Sequence, residues 1–150
     1  MKTIALTSTL LIALLVIYGF RTKNVQVKTE EGILFFTGTW QQALDKAKNE
    51  NKVIFLDAFA SWCGPCKMMK HKTFTDKGVA DFYNKNFVNV AIDMEKGEGP
   101  ALAEKYGVDS YPSLIYIKAD GKAMGKVVGY HKAKDFLEIG EQARKLSIIK

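Results

Sequence analysis

The chain has 150 residues, 47% of them hydrophobic and 25% charged, which is the make-up of one globular domain with a substantial core. Three prolines, twelve glycines and no internal repeat exclude low-complexity, collagen-like and solenoid architectures. The net charge of +6 comes from lysines scattered singly, with no nucleic-acid-reading element beside them, so the basic surface reads as solubility or a preference for acidic partners and no nucleic acid is expected to bind.

Lys2 precedes an uncharged stretch at residues 4–20, wholly apolar at residues 10–17. This is the layout of an export signal, or of a membrane anchor at the short limit of a spanning helix. Gly19 with Ile17 upstream makes a mediocre cleavage site, and Arg21 and Lys23 suit an uncleaved anchor, so both forms stay open. Residues 1–20 are therefore assigned as signal peptide or anchor, residues 21–38 as linker and first strand, and residues 39–150 as the folded domain. That reading puts the domain outside the cytoplasm, in the periplasm or an equivalent space.

Residues 33–36 read as the first strand. A helix then opens at Thr39, which forms a capping box with Gln42 and is followed by Trp40, Ala43, Leu44 and Ala47 on one face. Residues 53–59 are apolar except for Asp57, the mark of a strand covered on both faces. After the cysteines, residues 67–72 continue as helix, and Val79, Phe82 and Tyr83 repeat at helical spacing before a second buried strand at residues 87–92. Pro100 and Gly107 bracket a helix at residues 101–106, and Pro112 opens a strand at residues 113–117. Asp120-Gly121 turns the chain into an antiparallel partner at residues 126–129. Phe136, Ile139, Ala143, Leu146 and Ile149 form the apolar stripe of a final helix. The order β, α, β, α, α, β, α, β, β, α predicts an α/β fold, a mixed central sheet flanked by helices.

Cys63 and Cys66 are the only cysteines, spaced as Cys63-Gly64-Pro65-Cys66. A structural zinc site would need two further ligands, and His71 and His131 do not stand at the required spacing, so no metal is expected. Haem attachment would need His where Lys67 stands. Cys63 follows a buried strand and opens a helix, where free backbone N–H groups and the helix dipole favour a thiolate, and Lys67 adds a nearby positive charge. The thiolate is the attacking form in disulfide exchange, and Cys66, one turn along, is placed to resolve the mixed disulfide. The alternative is an inert structural pair, but a turn holding Trp62, Gly64 and Pro65 reads as solvent-facing, and a disulfide closing so small a loop stabilises little. Asp57 is either a buried carboxyl whose raised pKa lets it exchange a proton with Cys66, or a strand-edge aspartate facing water.

Trp62-Cys63-Gly64-Pro65-Cys66-Lys67 resembles the active-site sequence of the thioredoxin family. Asp57 stands where that family carries a buried aspartate, and Tyr111-Pro112 where it carries a cis-proline. The stretch from Trp40 to Gln142 is most similar to the periplasmic thioredoxin-like branch, including the C-terminal domain of the transmembrane thiol-disulfide interchange reductase; Thr73-Phe74-Thr75-Asp76 matches that branch's segment after the active-site helix. The resemblance implies a thioredoxin fold and a thiol-disulfide oxidoreductase in which Cys63 attacks and Cys66 resolves. Trp62, Gly64, Pro65, Tyr111 and Pro112 would meet the substrate. It also implies disulfide-containing proteins as substrates, apocytochrome c and misoxidised envelope proteins among them, and a membrane thiol-disulfide carrier as electron donor. No cofactor beyond the dithiol is called for, and a monomer is expected. Two features depart from the family: Asn89 stands where it has a buried lysine near the aspartate, and the loop at residues 95–100 is glycine-rich and longer. A second reading keeps the fold without catalysis, as a peptide-binding or chaperone module using the groove around Pro112.

Overall fold

The computed structural model describes residues 32–148; the apolar segment at residues 1–20, most of the tether that follows it, and Ile149 lie outside the described residues. Thr39 caps α1 (Trp40–Glu50) as expected: its hydroxyl accepts from the Gln42 N–H at 3.2 Å while the Gln42 side chain accepts from the Thr39 N–H at 2.9 Å. The helix buries Trp40, Ala43 and Ala47 and ends at Asn51 in the left-handed conformation.

Strand β1 (Val53–Phe59) is buried along all but its last residue because it is an inner strand of a mixed sheet. It pairs in parallel with β2 (Phe87–Asp93) and antiparallel with β3 (Ser113–Ile117), which pairs antiparallel with β4 (Ala123–Val128). Between the strands lie α2 (Gly64–Met68), α3 (Lys77–Asn86) and α4 (Gly99–Tyr106), and α5 (Ala133–Ile148) closes the chain. The β1 side chains alternate between two cores. Phe55 packs with Phe74, Tyr83, Tyr116 and Phe136 beneath α3 and α5, and Ile54, Leu56 and Ala58 pack with Trp40, Leu102 and Ile115 beneath α1 and α4.

Four expectations need correction. Residues 33–36 do not form a strand, because their backbone bonds go to three different elements: the Ile33 N–H donates to the Phe74 carbonyl, the Leu34 N–H to the Asn84 side chain, and the Phe36 N–H to the Asn89 carbonyl. A ladder needs one partner strand, and here two asparagine side chains stand in for it. The helix opened by Cys63 starts at Gly64 as expected, but it does not continue as regular α-helix through residue 72, widening instead into a π-helical turn at Met69–Thr73. Strand β4 starts at Ala123, three residues before the expected start, and a register shift at Tyr116/Ile117 absorbs the irregularity after the turn. The apolar stripe of α5 is not continuously buried, since Phe136 and Ala143 are buried but Leu146 is 57% exposed.

Candidate active site

The site stands at the carboxyl end of β1, where the chain leaves the sheet and re-enters a helix. Cys63 has extended backbone and caps α2, with its sulfur accepting the Cys66 N–H at 3.1 Å, so the helix N-terminus points at that sulfur. Pro65 lies in the first turn, where its missing N–H costs no helix bond. Cys63 and Cys66 are joined as a disulfide, S–S 2.06 Å, with Cα atoms 5.3 Å apart. The solvent-facing turn is met only in part. Trp62, Gly64 and Pro65 are exposed, but Cys63 and Cys66 are 3% and 6% exposed and pack with Ala60, Phe59 and Tyr111.

Tyr111 brings the second strand end to this cluster. Its ring meets the Trp62 indole edge-on at 5.9 Å, and the Tyr111–Pro112 peptide is cis. Pro112 is buried at the mouth of β3, its carbonyl accepting the Gly129 N–H at 2.9 Å. Trp62 itself is 66% exposed, yet its indole N–H donates to both carboxylate oxygens of Glu95 at 3.0 Å. Glu95 was not singled out by sequence; its one signal was its place in the glycine-rich loop.

Asp57 is resolved in favour of the buried alternative. It lies on an inner strand between Ala91 and Leu114, is 5% exposed, and leaves Oδ1 without a hydrogen-bond partner. Burial pushes its pKa up to about 7, against a smaller downward pull from the Lys70 ammonium. Asn89 does not supply that pull. Its amide nitrogen reaches the Leu34 carbonyl at 3.4 Å and the Asn84 Oδ1 at 3.2 Å instead. Lys70 belongs to the π turn, which two bonds fasten to the loop before α5: the His131 N–H donates to the Met69 sulfur at 3.3 Å, and the Thr73 hydroxyl to the His131 carbonyl at 2.6 Å. Thr73-Phe74-Thr75-Asp76 carries this fastening, because Phe74 enters the core and Asp76 caps α3.

A cysteine pair closed as a disulfide at a helix N-terminus, after a strand that carries a buried carboxyl and packed on a cis-proline loop, belongs to the class of thiol-disulfide oxidoreductases. Comparison with known proteins narrows the class. Thioredoxin H4 of Arabidopsis thaliana is 38% identical over 93 residues, 62% of this chain and 73% of that protein. Among solved structures, a candidate disulphide isomerase from Bacteroides thetaiotaomicron is similar with a TM-score of 0.68 and 42% identity, over 75% of this chain and 93% of that one. The oxidised C-terminal domain of Neisseria meningitidis DsbD gives a TM-score of 0.60 at 28% identity, over 74% of this chain and 98% of that one. The chain belongs to the Thioredoxin-like domain family, whose pattern matches residues 40–144.

Proposed function

We propose that this oxidoreductase reduces or exchanges disulfides in other proteins of the cell envelope, with Cys63 as nucleophile and Cys66 as resolving thiol. In the reduced protein the Cys63 thiolate attacks one sulfur of a substrate disulfide, forming a mixed disulfide and releasing the other substrate sulfur as a thiolate. Cys66 then gives up its proton and attacks the Cys63 sulfur, which restores the internal disulfide and releases the second substrate thiol. Two electrons pass from the dithiol to the substrate, and a membrane dithiol carrier returns them. Asp57 is suited to take the Cys66 proton and give it back on re-reduction, since a carboxyl with a pKa of about 7 holds and releases a proton near neutrality. Trp62, Gly64, Pro65, Tyr111 and Pro112 form the surface on which the substrate segment lies. Location in the envelope rests on the apolar stretch at residues 4–20.

The observation that carries this reading is the Cys63 sulfur at the N-terminus of α2, bonded to the Cys66 N–H and closed onto the Cys66 sulfur. Expressed with its N-terminal segment in a cell envelope, the Cys66→Ser variant is expected to accumulate mixed disulfides through Cys63. The Cys63→Ser/Cys66→Ser variant is expected to trap none and to lose all reduction of insulin disulfides. A double variant that still reduced insulin would overturn the assignment, and one that lost reduction but held its envelope partners unchanged would favour a binding module.

A further inference from the structure

The loop at residues 95–100, after β2, holds Gly97 and Gly99, and the disulfide chemistry itself makes no use of it. Its conformation is nonetheless tightly fixed. The Met94 N–H donates to the Phe59 carbonyl at the end of β1, the Glu95 N–H donates to the Asp93 carboxylate at 3.1 Å, and the Gly99 N–H donates to the Lys96 carbonyl. Gly99 is obligatory there, because a Cβ would lie 2.1 Å from the Asp93 carbonyl oxygen. The Glu98 carboxylate reaches across to accept the backbone N–H of Trp40 at 2.9 Å, which fastens the loop to α1. Glu95 stands on this fixed backbone, and its carboxylate accepts the Trp62 indole N–H.

An indole that is two-thirds exposed would ordinarily sample several rotamers. Here Trp62 is held at two points, by the Glu95 carboxylate and by the edge of the Tyr111 ring. Tyr111 in turn packs on the Cys63–Cys66 pair, so the two rings stand next to the disulfide. We propose that Glu95 is a specificity-determining residue, which sets Trp62 as a rigid wall of the substrate groove so that an extended polypeptide docks without first ordering it. A preformed wall lowers the entropic cost of docking a chain that covers the groove, and matters far less to a small disulfide that touches only the sulfurs. This inference rests on the disulfide-reducing reading of the same site and adds how that site selects its substrates.

The test compares wild type, Glu95→Gln and Glu95→Ala with two probes, insulin as a protein disulfide and glutathione disulfide as a small one. Glu95 is exposed, so both variants are expected to fold. Glu95→Ala should raise the KM for insulin about 3- to 10-fold with kcat held, and the loss with insulin should be at least threefold larger than any loss with glutathione disulfide. Glu95→Gln, which keeps an acceptor oxygen, should fall between the two. The Trp62 indole N–H, followed by NMR, should exchange with solvent faster in Glu95→Ala. Equal losses with both probes, or a change in kcat alone, would overturn the proposal, as would variants indistinguishable from an active wild type. A wild type that reduced neither probe would instead overturn the reading on which the proposal rests.

Discussion

Asp57 carries its carboxyl in the middle of the sheet with one oxygen unpartnered, and the cost of that placement depends on pH. Its folded pKa of about 7 lies above the ordinary 3.8 of an aspartate, so between those values the folded chain holds a proton that the unfolded chain has released. Stability attributable to this group is therefore fully present below about pH 4, is lost as pH rises towards 7, and stays lost above it. Asp57→Asn is expected to stabilise the domain at pH 8 by on the order of a few kcal/mol and to change little at pH 4, as read by urea unfolding at both values. Equal gains at the two pH values would show that the carboxyl is not the source. The same variant should slow disulfide formation from the reduced protein near neutrality. Sequence made Asp57 conspicuous as the only polar residue in an apolar run, but strand pattern alone could not say whether the strand lay inside the sheet or at its edge. Lys70 was not legible at all, because its effect depends on the π turn. Glu95 was hidden for a different reason, since its partner stands 33 residues away.

At the scale of elements, the sequence was most informative where a capping pair or a turn residue marks a boundary. Thr39 with Gln42, Pro100 with Gly107, and Asp120-Gly121 each stand where the structure begins, ends or reverses an element. It was least informative where side chains replace backbone partners, as Asn84 and Asn89 do for residues 33–36. The packing of α5 on α3 shows another long-range requirement. The Tyr83 hydroxyl donates to the Phe136 carbonyl at 2.9 Å and meets the Tyr116 hydroxyl at 2.6 Å, and its ring stacks on Phe136 at 4.4 Å. Gly140 makes room for this, since a Cβ there would lie 2.6 Å from the Tyr83 hydroxyl oxygen. Tyr83 is fully buried and cannot swing aside, so Gly140→Ala is expected to destabilise the domain by about 1–3 kcal/mol despite the better helix propensity of alanine. A stabilised Gly140→Ala variant in thermal or urea unfolding would mean that α5 slides freely on α3.

For the molecule as a whole, the fold places three separate stretches of chain at one end of the sheet. The strand-to-helix turn brings Trp62, Cys63 and Cys66, the cis-proline loop brings Tyr111 and Pro112, and the loop after β2 brings Glu95. The first two were readable from motifs, because Cys-Gly-Pro-Cys and Tyr-Pro are local in sequence. The third depends on a sheet order, β2-β1-β3-β4, that sets the end of β2 beside the end of β1. Among the described residues no helix is long and apolar enough to cross a membrane.

The central claim is that Cys63 and Cys66 form a reversible couple that donates electrons to protein disulfides. Its most direct test is the reduction potential of the soluble domain, equilibrated with defined dithiothreitol or glutathione buffers and read by trapping free thiols. A couple that donates electrons is expected to have a value near the −270 mV or so of thioredoxin. A value near the −120 mV or so of a strong disulfide donor would contradict the account and make the protein an oxidant.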